Sequence, residues 1–261
     1  MMAESVERKA LVEIRVCEEH GKYESKGVMW LRGLKRVIWS GCPVCSECER
    51  LAEEAELKER EARQRQAGIE AKLSVAGVPA RFRSKSFESF KADTEAMRHA
   101  LNKAAEFAAS FSSHRLAGTT LVLSGQPGTG KSHLALAILQ TVLSNGGTGL
   151  YANVLDAIRM VRETWRRHSN HSEADILKTL GGVDLLVLDE IGVQYGTDAE
   201  QVTVFDILNR RYRDMLPTIL LTNLDRAGLK TYLGERAFDR LRETSVWVSF
   251  DWESFRPKAR L

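Results

Sequence analysis

The stretch Gly125-Gln126-Pro127-Gly128-Thr129-Gly130-Lys131-Ser132 limits what this 261-residue chain can become more than any other part of it. It follows an apolar, β-branched run, Thr119-Thr120-Leu121-Val122-Leu123-Ser124, and opens a helical pattern from Leu134 to Leu139. Strand, glycine loop, helix is the context in which G-x-x-x-x-G-K-[ST] means a phosphate site rather than a glycine turn with a chance Lys-Ser. The glycines let the backbone curl until successive N–H groups converge on anionic oxygens, and the helix behind adds its positive end. Gly125, Gln126, Pro127, Gly128, Thr129, Gly130, Lys131 and Ser132 are therefore candidate nucleotide contacts. Lys131 is long enough to reach the β- and γ-phosphates of ATP, and the Ser132 hydroxyl can ligate Mg²⁺.

A hydrophobic content of 43% allows one large core, and the length leaves room for something small beside it. The net charge is only +3, so an anionic partner has to be met by a local basic patch rather than by the whole surface. No apolar run approaches the length of a membrane span. Residues 1–9 are charged and lack the apolar segment of a signal peptide. A cytoplasmic protein with no membrane partner is expected.

All four cysteines fall between Cys17 and Cys48, which suits metal binding in a reducing compartment better than a disulfide framework. Cys17-x-x-His20 and Cys42-x-x-Cys45 are two ligand pairs that could grip one tetrahedral Zn²⁺ through tight turns. Cys48 could replace His20 as the fourth ligand; the bland alternative is a set of free cysteines beside a surface histidine. Between the pairs, Val28–Leu31 and Val37–Trp39 could form a hairpin with the metal at one end. Residues 1–48 are read as a zinc-binding module. Residues 49–76 are highly charged, with Glu54→Lys58, Glu56→Arg60, Glu59→Arg63 and Glu61→Arg65 spaced as i,i+4 pairs, so they are read as a solvated linker helix. Ala76-Gly77-Val78-Pro79 breaks that helix and opens a domain over 77–261.

Within that domain a helix is expected from Thr94 to Phe111, then the phosphate loop and its helix, a strand at Leu150–Asn153 and a helix from Asp156 to Arg167. Buried strands follow at Val183–Leu188, Pro217–Asn223 and Val246–Phe250. Five strands alternating with helices predict an α/β fold with a parallel, doubly wound sheet and ligands at the carboxyl ends of its strands. Asp189-Glu190 ends the third strand. Asp189 can hold the Mg²⁺ water shell and Glu190 can polarise the attacking water, unless the pair is an ordinary solvated loop. Asn223, closing the fourth strand, could set an amide beside the γ-phosphate.

The phosphate loop, Leu185–Gln194, Leu221-Thr222-Asn223, Leu233–Leu241 and Phe250-Asp251-Trp252 together resemble the DnaC-type replicative helicase loaders, AAA+ ATPases of the initiator clade, over about Gly77 to Trp252. The resemblance implies an AAA+ P-loop core that binds a replicative helicase and helps place it on single-stranded DNA, with release on ATP turnover and hydrolysis weak until assembly. It assigns the sensor asparagine to Asn223 and the arginine finger that enters a neighbouring subunit's ATP site to Arg240, with Arg236 one turn earlier. Self-assembly through these trans arginines follows. With about twenty residues after Arg240, a full helical lid and its sensor arginine are expected to be absent.

Arg159, Arg162, Arg166 and Arg167 surround Trp165, an arrangement suited to tracking and stacking on single-stranded DNA. The resemblance adds Trp165 and Thr197 as DNA contacts. Leu155, Ile158, Val161 and Trp165 also form an apolar stripe, so Trp165 can equally be core. Two rivals remain open: a transposition helper ATPase that recruits a transposase to duplex DNA, and a nucleotide-gated adaptor that barely hydrolyses ATP.

Overall fold

The computed structural model describes residues 11–30, 36–164, 172–192 and 198–256. They form two compact units, Met1–Gln66 and Ala67–Leu261.

In the first unit, β1 (Leu11–Cys17), β2 (Gly21–Trp30) and β3 (Arg36–Trp39) make an antiparallel sheet in that order. The expected hairpin is β2–β3, with Val28 opposite Ile38; β1 is an addition, paired with β2 from Leu11↔Gly27 to Cys17↔Gly21. Directly opposed residues share a face, so Val12, Ile14, Val16, Val28 and Ile38 lie on one side of the sheet. All five are exposed, Ile14 and Val16 at 70% and 72%. The apolar side chains of that face thus stay in water, while Leu11, Tyr23, Val37 and Trp39 on the other face are only half-buried, so burial contributes modestly to folding. α1 (Pro43–Val75) follows, with Glu59–Arg63 closed at 2.6 Å and Glu54 paired with Arg50 rather than Lys58.

The second unit continues with α2 (Glu95–Ala109), whose N-cap is the Thr94 hydroxyl accepting from Met97 N–H, and α3 (Phe111–Ala117). Then come β4 (Thr120–Gly125), α4 (Lys131–Ser144), β5 (Gly149–Asn153) and α5 (Val154–Glu163). α6 (Glu173–Gly182), β6 (Leu185–Ile191), α7 (Asp198–Arg213) and β7 (Thr218–Thr222) follow. α8 (Arg226–Leu233), α9 (Glu235–Thr244) and β8 (Ser245–Phe250) complete it. The five strands pair in the order β5-β6-β7-β4-β8, all parallel, as expected. The three central strands, β6, β7 and β4, are buried on both faces, because helices cover both. Leu121, Leu123, Val187 and Leu221 pack with α2 and α4; Val122, Leu188 and Leu220 pack with α5 to α9.

Several boundaries depart from the sequence expectation: α1 begins at Pro43 rather than at residue 49, and the helix expected from Thr94 to Phe111 is divided between α2 and α3. α5 begins at Val154 rather than Asp156 because the Asn153 side chain caps it, accepting from Leu155 N–H at 2.9 Å. β6 begins at Leu185, since Asp184 is spent on Thr148 N–H and on Arg115. Among the described residues no helix is long and apolar enough to cross a membrane.

Candidate nucleotide site and a cysteine–histidine cluster

The phosphate loop bridges the carboxyl end of β4 and the start of α4, where an open parallel sheet holds its ligands. Gly128 and Gly130 have φ of 80° and 97°, so the curl that turns the loop inward is available only to residues without a Cβ. At Gly130 a Cβ would come within 2.6 Å of the Phe90 ring. Lys131 is buried, and its ammonium donates to Gly125 O (2.6 Å), Gln126 O (2.9 Å) and Asn223 Oδ1 (2.9 Å). The loop lysine and the predicted sensor asparagine thus meet.

Burial brings Lys131 down to about 8 from 10.5, with Asp189 opposing and Arg256 adding to the shift. A phosphate beside the amine favours its charged form, so binding is accompanied by proton uptake wherever the free amine is neutral. Affinity for Mg·ATP should accordingly fall as pH rises above about 8, by up to about tenfold per unit for one proton. Calorimetric titrations at pH 7, 8 and 9 check this; equal affinity across that range would contradict it.

On β6 the acidic pair occupies a break in register. The ladder to β7 shifts between Leu188 and Ile191, and Glu190 has φ 62°, a left-handed conformation that costs a non-glycine residue about 1 kcal/mol or more. The bulge turns both carboxylates out at the strand end. Asp189 Oδ2 accepts from Ser132 Oγ–H (3.0 Å) and Tyr151 O–H (2.6 Å), while its Oδ1 accepts from Glu190 N–H (2.7 Å). Burial, followed by the Asp189 charge, pushes the Tyr151 phenol well above its ordinary range, so it stays a neutral donor. Asn153, in register with Asp189, donates its side-chain N–H to Glu190 Oε2. Sequence reading missed Tyr151 and Asn153; the visible signal was a polar pair on alternate positions closing an otherwise apolar strand.

Arg240 stands elsewhere. It lines a small cavity with Thr120, Thr218 and Thr244, at the amino ends of β4 and β7. Its guanidinium donates to Asn209 Oδ1 and lies 5.4 Å above the Tyr212 ring and 6.0 Å above Phe205. Glu235 pairs with Lys230 and Asp239 with Arg242, so neither carboxylate is engaged with Arg240. Arg236, one turn earlier on α9, is exposed. Arg159 and Arg162 are exposed on α5, whereas Ile158 and Val161 are buried and Leu155 is half-buried. Trp165, Arg166, Arg167 and Thr197 lie outside the described residues.

In the first unit Cys17, His20, Cys42 and Cys45 bring their donor atoms within 4.8 Å of one another. His20 Nδ1 is 3.3 Å from Cys45 Sγ and 3.7 Å from Cys17 Sγ, and the two sulfurs are 3.6 Å apart. Ligand atoms about 2.0–2.3 Å from a tetrahedral Zn²⁺ are separated by roughly 3.3–3.8 Å, so the donor set fits that ion. Cys48 is exposed and outside the cluster. It follows Cys45 by one helical turn on α1, beyond the loop end at which the other four converge.

A glycine loop behind one strand, an acidic pair closing another and an asparagine closing a third, on a five-stranded parallel sheet, define a P-loop ATP-binding protein of the AAA+ class. The chain belongs to the family described as IstB-like ATP binding protein, whose model matches residues 47–261. It is 35% identical over 212 residues to the replicative helicase loader DnaC of Buchnera aphidicola subsp. Schizaphis graminum, covering 81% of this chain and 83% of that protein. It is 39% identical over 174 residues to the replicative helicase loader DnaC of Escherichia coli strain K12, covering 66% and 69%. The crystal structure of the DnaC helicase loader matches 66% of this chain and 99% of its own, with a TM-score of 0.60 at 24% identity, a likeness of fold.

Proposed function

We propose that this protein binds a replicative helicase and places it on single-stranded DNA, with ATP binding and hydrolysis as the switch. The carrying observation is the identity to two DnaC loaders over more than two thirds of their length, in a chain where Lys131 is hydrogen-bonded to Asn223 and its neighbour Ser132 to Asp189. The helicase, single-stranded DNA and a second copy of this chain are the proposed partners, in the cytoplasm.

In the pocket, Lys131 and the loop N–H groups bind and orient the triphosphate. Ser132 and Asp189 would hold Mg²⁺, which supplies neutralising charge on the phosphate oxygens. Glu190 polarises the attacking water and takes its proton, so that the bond to the leaving ADP breaks as the new P–O bond forms. The Asn153 amide fixes the carboxylate it must release or carry for that step. Turnover is weak until a neighbouring subunit contributes Arg240. Glu190→Gln keeps the size and the bond from Asn153 but removes the base; turnover should fall roughly 10²–10⁴-fold with Mg·ATP still bound. Single-turnover hydrolysis within tenfold of the parent protein would rule out that role.

Cys17, His20, Cys42 and Cys45 would hold Zn²⁺, which ties β1–β3 to the start of α1. We place the first domain at 1–48, the linker at 49–76 and the ATPase domain at 77–261. The test of the function is co-purification with the host's replicative helicase, with and without ATP, using the full chain and a form lacking residues 1–75. Retention of the helicase by the full chain supports the loader reading. A protein that ignores the helicase and prefers duplex to single-stranded DNA would instead be a transposition helper, a reading with which the family description is also consistent.

A further inference from the structure

The residues after β8 run back across the phosphate loop. Trp252 Nε1–H donates to Thr129 O at 3.0 Å, and Phe255 N–H donates to Gly128 O at 2.9 Å. The Ser254 side chain fills the space a Cβ on Gly128 would need. The Phe255 ring meets Phe90 edge-on, centroids 6.0 Å apart, and Phe90 in turn packs on Gly130. Trp252 is itself anchored by a tilted contact with buried Phe250, 4.8 Å between centroids. This strap takes only carbonyls from the loop, so it does not compete with an anion for the loop's N–H groups.

Its last described residue is Arg256. A bond from Arg256 N–H to Ser254 Oγ (3.1 Å) closes a turn, and the stem of Arg256 crosses Gly128, its Cγ 3.2 Å from the position of a Cβ there. Arg256 forms no ion pair with a described residue, and its charge acts on the Lys131 ammonium, the group meant for the β- and γ-phosphates. Two cations beside one loop, Arg256 without an ion-pair partner among the described residues, repel each other until an anion enters. A triphosphate supplies one more negative group there than a diphosphate.

We propose that Arg256, held by the Trp252–Phe255 strap, binds the terminal phosphate of ATP and makes the site favour triphosphate over diphosphate. The inference rests on the phosphate-loop reading above. It gives the chain's own subunit a second phosphate cation, and ties that cation to the loop by two backbone carbonyls.

The test is calorimetry with Mg·ATP and Mg·ADP on full-length protein, Arg256→Gln and Arg256→Lys. Arg256 is exposed, so the variants should fold, which circular dichroism checks. Arg256→Gln should bind Mg·ATP about tenfold more weakly, the loss of one charge-assisted bond, with Mg·ADP little changed and Arg256→Lys partly restored. Equal weakening for both nucleotides, or unchanged Mg·ATP affinity, would overturn the proposal while leaving the loop's role intact. If the parent protein binds neither nucleotide, the phosphate-loop reading itself fails.

Discussion

Arg240→Ala should leave Mg·ATP affinity unchanged and lower partner-stimulated hydrolysis by roughly 10³–10⁵, the range in which an arginine finger acts. The geometry within one subunit explains the split. Arg240 lines its cavity beside Thr120, at the amino end of β4, while the phosphate loop leaves the carboxyl end of the same strand. At about 3.3 Å per residue the two ends are roughly 17 Å apart, beyond the reach of one side chain. An arginine so placed is out of reach of its own subunit's phosphate loop, as the proposed trans role requires. It waits against Asn209, Tyr212 and Phe205 of its own chain, and each cation–π contact given up on assembly costs about 0.5–1 kcal/mol. That cost is small against the contact with phosphate that the proposed trans role would supply. Mixing Arg240→Ala with Lys131→Ala, each inactive alone, should restore turnover at interfaces that pair an intact loop with an intact finger. Full stimulated turnover by Arg240→Ala, or no recovery in the mixture, would contradict the trans role.

Metal removal should have the other large effect. The β1–β3 sheet leaves Val12, Ile14, Val16, Val28 and Ile38 in water on one face and only half-buries Leu11, Tyr23, Val37 and Trp39 on the other, so a modest buried area holds it together. A structural zinc in a module of this kind supplies about 10 kcal/mol or more of folding free energy, far above what so small a core provides. The backbone N–H groups of Glu19 and then His20 hold the Cys17 thiol down at about 6, and its bond with Cys45 raises the latter to about 12; both describe thiols crowded into one ligand-sized space. Chelation should therefore unfold residues 11–41, seen as loss of the near-ultraviolet signal from Trp39, while Mg·ATP binding by residues 67–261 persists. Cys17→Ser and Cys45→Ser should behave like the chelated protein, and Cys48→Ser like the parent. Protein purified without chelator that contains no zinc, or that keeps its signal on chelation, would contradict the assignment.

The sequence carried the parts of this site that are made by neighbours along the chain. Gly125 to Ser132 is a backbone motif, and its strand and helix follow from local pattern, so the loop, its flanks and Asp189-Glu190 are legible in the order of residues alone. Partners brought by the sheet are not. Asn153 meets Glu190, and Tyr151 meets Asp189, only because β5 lies beside β6 in one register. Arg240's contact with α7 and the strap across Gly128 depend likewise on chain crossings that no local spacing encodes. β1 escapes a reading of the sequence for a different reason: its alternation is plain in Val12, Ile14 and Val16, yet it points the apolar side to water, against the usual rule for a half-buried strand.

The most direct test is titration of Mg·ATP into folded, full-length protein beside Lys131→Ala, followed by calorimetry. The account predicts saturable uptake of one nucleotide per chain that Lys131→Ala loses. No uptake by the parent protein, or equal uptake by both, would contradict the claim that the loop around Lys131 and the carboxylate of Asp189 form a triphosphate pocket.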